Sequence, residues 1–175
     1  MMMKNFLWML CMVLCISCGN NESAENESAA TAAEPGRVYT AVQLNEMIVA
    51  LESSLEEPML KAEAEIKVRG DKGNLDGVAQ SAKAMEDTIQ VRIDAVKAFT
   101  PVGVGGEDYK TVATRYFEHL KSIYTTYREI AEANNDNTRQ EKAQQMQSII
   151  SAQSAIMANL QQAQQKYAAD NGFVY

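Results

Sequence analysis

Four long segments of this chain place apolar residues at every third or fourth position, and this spacing strongly limits the possible fold. The segments cover about residues 40–69, 75–99, 107–133 and 138–170. No stretch alternates apolar and polar residues with a period of two for long enough to form a strand. The sequence therefore predicts an all-α protein built from four long helices.

The ends of these segments carry residues that favour helix termini. Thr40 with Gln43, and Thr138 with Glu141, have the spacing of a capping box, and Asn171-Gly172 is typical of a helix C-terminus. The breaks between segments are about four to seven residues long, which forces neighbouring helices to run in opposite directions. We therefore expect an antiparallel up-down-up-down four-helix bundle.

Pro58 lies inside the first apolar segment and should kink that helix without ending it. A proline at this position leaves the carbonyl of Ser54 without its helical donor. Gln153, the polar residue on an otherwise apolar stripe of the fourth segment, falls at nearly the same level of the bundle. We predict that Gln153 donates a hydrogen bond to the opened turn, the alternative being that it turns to the solvent edge.

The first residues have the pattern of an export signal. Lys4 supplies a positive charge, Phe6 to Ile16 is continuously apolar, and the small residue Ser17 precedes Cys18. An apolar run of this length is too short for a membrane span, which needs about 20 residues. The sequence therefore predicts a cleaved signal peptide.

The residues around Cys18 resemble the lipobox of type II signal peptides, although Cys15 stands where leucine is usual. The resemblance implies that residues 1–17 are removed and that Cys18 carries the lipid. Residues 18–36 then form a flexible acidic tether and residues 37–175 the bundle. We expect the protein to be anchored in the outer membrane, with its periplasmic or external orientation open.

Charge and cysteine content exclude several classes of function. The net charge is −7, and loss of Lys4 with the signal makes it −8. An acidic chain without a basic block repels phosphate backbones, so we expect no nucleic-acid partner. Cys11 and Cys15 leave with the signal, so the bundle has no thiol for a disulfide or metal site.

Three tyrosines of the third segment, Tyr116, Tyr124 and Tyr127, are the candidate ligand-facing residues. At helical spacing such residues more often fill a core, with their hydroxyls at its rim. His119 lies beside the same stripe, with no carboxylate or second histidine three or four residues away. We therefore place His119 at the core margin and predict neither a metal site nor a bound cofactor.

Two short motifs are weaker indications. The turn Asp71 to Gly77 resembles a calcium-binding loop, but its register fails and position twelve is Ala82 instead of glutamate. Asp87-Thr88-Ile89 resembles an acceptor for O-glycosylation in some two-membraned bacteria, and it falls inside a predicted helix.

Two further stretches are similar to a family of uncharacterised bacterial surface and periplasmic lipoproteins with long helices. They are the residues from Phe99 to Tyr124, including Gly106-Glu107-Asp108 and Tyr116-Phe117, and the tail from Ala163 to Phe173. The resemblance implies an envelope location and a helical fold, and it implies no activity.

The sequence contains no arrangement of nucleophile, base and orienting group, so we expect a protein that is not an enzyme. The leading hypothesis is a lipid-anchored bundle that binds a protein or an envelope component. The glutamine-rich fourth segment would suit such a contact. The alternative is a periplasmic bundle that binds a small ligand or metal in an interior pocket near Tyr116, Tyr124 and Tyr127.

Overall fold

A computed structural model describes residues 39–174 of the chain. These residues form five helical segments and no strand, so the predicted all-α class is confirmed. The segments are α1 (Ala41–Ser53), α2 (Glu56–Asp71), α3 (Leu75–Ala98), α4 (Gly106–Glu132) and α5 (Asp136–Asp170). Cys18, the signal peptide and the tether lie outside the described residues, as does Tyr175.

The first predicted helix is divided in two near Pro58. Ser54 and Leu55 separate α1 from α2, and both keep right-handed helical backbone angles. The Leu55 amide donates to the carbonyl of Glu52 at 3.0 Å, a tighter turn than that of an α-helix. The irregularity expected at Pro58 is therefore a two-residue interruption with helical backbone angles, after which the chain continues as α2. The proline ring excludes the normal position of the Ser54 carbonyl, and the regular hydrogen-bond ladder is interrupted there.

The helix termini follow the sequence in two places and depart from it in one. Thr40 and Gln43 form the predicted capping box. Asn171 ends α5, and Gly172 follows with a φ of 71°, as predicted. The start of α5 differs, because Asn135 accepts from the Thr138 amide at 2.9 Å and the helix begins at Asp136. Asparagine is at least as good a cap as threonine, and its position three residues earlier adds nearly one turn to the helix.

The four helices, with α1 and α2 together as one interrupted helix, pack around a single apolar core. α3 packs against both α2 and α4, α4 packs against α5, and α1 meets α5 over a short stretch. The side chains that this packing buries most completely are Leu44, Ile48, Leu55, Ile89, Ile93, Val96, Tyr109, Phe117, Tyr124 and Tyr167. No helix in the described part of the chain is long and apolar enough to cross a membrane.

One end of the molecule, which we call the base, joins the loop between α3 and α4 to the end of α5. The Tyr167 hydroxyl donates to the Val102 carbonyl at 2.7 Å, and the Asn171 side chain both accepts from and donates to the Val104 backbone at 2.9 Å. Gly103 has a φ of 71°, and a Cβ there would lie 2.2 Å from the Asn171 side-chain oxygen. The contact therefore requires glycine.

The sequence predicts that apolar residues of this loop and of the C-terminal tail cover one another at the base. Val102 and Phe173 are half-buried and pack against the core, and the Phe173 ring meets Tyr167 edge-on with centroids 5.9 Å apart. Val104 and Val174 are exposed, so the prediction was wrong for these two residues. At Val104 the exposure is consistent with the hydrogen bonds of Asn171, which hold the Val104 backbone while its side chain points to solvent.

Candidate functional site

The three candidate tyrosines all lie on α4, and the structure brings two carboxylates toward them. Tyr116 and Tyr124 are buried and Tyr127 is half-buried. Glu52 from α1 contacts Tyr116, while Glu63 from α2 is close enough to raise the pKa of both Tyr124 and Tyr127. Sequence periodicity placed the tyrosines at the core but gave no sign of these acids. Each acid sits at the margin of its helix's apolar stripe.

Burial dominates the electrostatics of this interior. It raises the pKa of the Glu52 carboxyl, an effect that a hydrogen bond with Tyr116 partly offsets, and it raises the pKa of Glu63. Burial first, and the neighbouring carboxylates second, raise the pKa of Tyr116 and Tyr124. These phenols therefore stay protonated at neutral pH and can act as hydrogen-bond donors.

The Tyr124 hydroxyl is buried and has no hydrogen-bond partner within the described structure. Its ring is 1% exposed and lies 6.3 Å from the Tyr127 ring, centroid to centroid. A buried hydroxyl without a partner costs free energy, so this atom is the strongest sign of an unmet interaction among the candidate residues.

Nearer the base, a buried polar cluster joins three helices. The Asn45 side-chain oxygen on α1 accepts from the Tyr109 hydroxyl of α4 at 3.1 Å and from the Gln164 amide of α5 at 3.0 Å. The Tyr109 and Tyr167 rings stack beside it, with centroids 4.9 Å apart. Sequence reasoning missed Asn45. The available signal was a polar residue next to Leu44 on the apolar face.

His119 lies at the core margin, as the sequence predicts. It is half-buried, its Nε2 atom has no partner in the described structure, and burial lowers its pKa. No group of three or more histidine, cysteine, aspartate or glutamate side chains within residues 39–174 is arranged to hold a metal ion.

Gln153 does not make the predicted hydrogen bond to the turn around Ser54. Its side-chain oxygen is buried without a partner, and none of the hydrogen bonds of the described structure joins Gln153 to residues 53–57. Arg92 of α3 instead donates to the Ser54 hydroxyl at 2.9 Å, and that hydroxyl donates to the Leu51 carbonyl. The direct hydrogen bond is therefore not made, and the side chain that contacts this turn comes from α3.

Neither of the two clefts identified on the described surface is lined by the candidate tyrosines. One lies at the turn between α4 and α5, and the other lies among α3, α4 and α5. The lysines of the second cleft are already paired. Lys97 binds Glu118 at 2.9 Å, Lys121 donates to Gln90 at 2.7 Å, and Lys142 binds Glu129 at 2.7 Å. A ligand would have to displace these contacts to bind there.

The possible glycosylation motif lies on α3. The Thr88 hydroxyl donates to the Ala84 carbonyl of the same helix at 2.9 Å, and Ile89 is fully buried. Modification at Thr88 would require the loss of this hydrogen bond. Asp71 to Gly77 forms the connection from α2 to α3, in which the Asn74 side chain caps α3 by accepting from the Gly77 amide at 2.9 Å.

No family model, curated protein or solved structure matches this chain in the three comparisons made.

Proposed function

We propose that this protein is a lipid-anchored helical bundle of the outer membrane that acts by binding a protein or envelope component and has no catalytic activity. The lipobox-like sequence ending at Cys18 supports the anchor. The tether that follows supports a domain held at some distance from the membrane. The sequence offers no arrangement of nucleophile, base and orienting group, which supports a binding role over catalysis.

We further propose that the helices run up-down-up-down. Three contacts support this topology. Asn45 near the start of α1 binds Tyr109 near the start of α4 and Gln164 near the end of α5. The Ser54 hydroxyl at the end of α1 binds Arg92 in the second half of α3. Under this arrangement the tether leaves the bundle at the base, and the α2–α3 and α4–α5 turns lie at the opposite end.

The observation that carries the binding proposal is the exposure of α5. The helix has 35 residues, of which Met146, Leu160, Tyr167 and Ala168 are buried. Ten more positions, including Ile149, Ile150 and Ile156, are half-buried, and the remaining 21 are exposed. A long helix with so much free surface suits contact with another molecule.

The anchor is tested by replacing Cys18 with serine in the full chain. Cells grown with a fatty-acid probe should label the unchanged chain and not Cys18→Ser, which should also remain uncleaved. Cys11→Ser is the matched control, because Cys11 lies in the removed signal and its loss should leave labelling intact. Normal labelling and processing of Cys18→Ser would refute the anchor.

The binding function is tested in intact cells that produce the full chain. Treatment with a lysine-reactive crosslinker should join the protein to an envelope component, identified by mass spectrometry, and the yield should fall in the Cys18→Ser variant. Equal yields from anchored and unanchored chains would count against a partner in the envelope.

A second candidate, binding of a small ligand inside the bundle, is favoured by the unpartnered Tyr124 hydroxyl beside Glu63. Native mass spectrometry of the full chain purified from its own cells should then show an added mass, which Tyr124→Phe should reduce. Spectra that show no added ligand mass on either chain would refute this candidate.

A further inference from the structure

The middle of α5 is unusual for an exposed helix because it carries no charge. From Ala143 to Gln165 the sequence contains no Asp, Glu, Lys or Arg, although such residues make up 22% of the chain. Most of these positions are nevertheless exposed. Exposed helix faces normally carry charged side chains, so the composition requires another explanation than contact with water alone.

The sequence of the same stretch is nearly symmetric about Gln153. Residues at equal distances before and after Gln153 are either identical or of the same kind, being small, amide or apolar. The pairs are Ala152 with Ser154, Ser151 with Ala155, Ile150 with Ile156, Ile149 with Met157, Ser148 with Ala158, Gln147 with Asn159, Met146 with Leu160, Gln145 with Gln161, Gln144 with Gln162 and Ala143 with Ala163.

Helix geometry puts the polar half of this pattern on the outside. Gln153 faces the bundle, since its side-chain oxygen is buried. At 3.6 residues per turn, positions about two, five and nine residues away lie on the opposite side of the helix. These positions define what we call the outer face of α5, and all of them are exposed. They are Gln144, Ser148, Ser151, Ala155, Ala158 and Gln162.

We propose that the outer face of α5 binds the same face of a second copy of this chain, with the two helices antiparallel and related by a two-fold axis at the level of Gln153. A two-fold contact places each residue opposite its counterpart from the other side of the axis. Here Ser148 meets Ala158 of the second copy, and Gln144 meets Gln162. Small residues then face small residues at the centre, while side-chain amides face amides at both ends.

Charge favours a second copy over a charged partner. The chain has a net charge of −7, so most contacts between two copies would bring like charges together. The outer face avoids this repulsion. In the antiparallel arrangement the nearest charges that flank the outer face also meet neutral residues, since Glu141 faces Gln165 and Lys166 faces Gln140.

The size of the face predicts a weak association. The uncharged stretch is about 34 Å long at 1.5 Å per residue, and with a helix about 10 Å wide it offers roughly 340 Å². A stable interface buries about 800 Å² on each partner. We therefore expect copies that exchange readily and are detected better by crosslinking in cells than by purification. The proposal does not depend on the identity of the partner proposed above.

Cysteine crosslinking of the full chain in intact cells tests the proposal. In Ala155→Cys the two new thiols should lie about 6 Å apart along the helix axes, because Ala155 is level with Ser151 of the second copy. A short bis-maleimide should give a band at twice the mass of the chain. Ala84→Cys, at an exposed alanine of α3, is the matched control and should give none above the unmodified chain.

The second part of the experiment introduces a charge on the outer face and then compensates it. Adding Ser148→Glu to the Ala155→Cys chain should lower the dimer yield about tenfold, since two carboxylates would be buried without partners. Adding Ala158→Lys as well should restore the yield, because each introduced carboxylate then meets the introduced ammonium of the second copy. Adding Ala84→Glu instead should change nothing.

Three results would overturn the proposal. The first is a yield of crosslinked dimer from Ala155→Cys that is no higher than the yield from Ala84→Cys. The second is a dimer yield that Ser148→Glu does not change. The third is a crosslinked product of Ala155→Cys whose mass shows that a different protein contacts this face.

Discussion

Replacement of Asn45 by alanine should destabilise the bundle more than any single hydrogen bond at the surface would. The Asn45 side-chain oxygen is the acceptor that the described structure gives to both the Tyr109 hydroxyl and the Gln164 amide. Alanine removes this acceptor and leaves two donors without a partner. Since Asn45 is itself 6% exposed, water cannot easily take its place.

The magnitude follows from the burial of the two donors. Tyr109 is 2% exposed, so its hydroxyl loses its partner entirely, at a cost of about 1–3 kcal/mol. Gln164 is half-buried and can turn toward water, so the loss of its hydrogen bond costs about 0.5–1 kcal/mol. We expect a total of about 1.5–4 kcal/mol. For a domain of this size that corresponds to a melting temperature lower by roughly 5–15 °C.

Thermal and urea unfolding of the full chain, followed by circular dichroism, measures this change. Tyr109→Phe provides the comparison. It removes one donor and leaves the Gln164 contact intact, so it should cost about 1 kcal/mol. Asn137→Ala, at an exposed position in the first turn of α5, is the matched control and should stay within about 0.5 kcal/mol of the unchanged chain. The reasoning is refuted if Asn45→Ala is as stable as the control, or if Tyr109→Phe costs as much as Asn45→Ala.

Three further substitutions test other parts of the interior and the base. Tyr124→Phe should leave the free energy of unfolding unchanged or raise it, since it deletes a buried hydroxyl without a partner, and a loss above about 1 kcal/mol would mean that this hydroxyl is bound after all. Burial raises the pKa of the Glu63 carboxyl in the folded chain above its ordinary value, so the contribution of Glu63 to stability is present below the unfolded pKa and is lost as pH rises through the folded pKa. Glu63→Gln should therefore gain stability relative to the unchanged chain as pH rises from acid to neutral, and parallel pH profiles of urea midpoints would contradict this. Asn171→Ala should cost about 1–2 kcal/mol through the loss of its three hydrogen bonds at the base, as measured by urea unfolding, and an unchanged midpoint would show that these bonds are not made in solution.

The elements that the sequence predicts well depend on residues close together in the chain. Apolar spacing gave the helices, and short motifs gave the capping box at Thr40 and the end of α5 at Asn171. Both kinds of signal lie within a few residues, where backbone geometry decides the outcome. The same local reasoning chose Thr138 over Asn135 for the start of α5, since both are good caps and the sequence does not rank them.

Contacts between distant residues were predicted less well. The spacing of Tyr116, Tyr124 and Tyr127 placed them at the core, but nothing near them in sequence indicated Glu52 or Glu63. The expected bond of Gln153 to the turn at Ser54 failed for the same reason. The height of Gln153 along the bundle axis was deduced from helix lengths, whereas the hydrogen bond depends on which helix faces the turn at Ser54.

The position of the two ends of the described chain has a mechanical consequence. A Cβ at Gly103 would approach both Ala41, at the start of α1, and Asn171, at the end of α5, so both ends lie at the base. Tension applied between these ends would peel α1 from α5 along a seam where they share few contacts, and would break those contacts one after another. When only the start of α1 is held, the contacts between α1 and α5 carry no more than the drag on this one domain. A protein held by one end can therefore resist drag that would open the same fold if it were pulled by both.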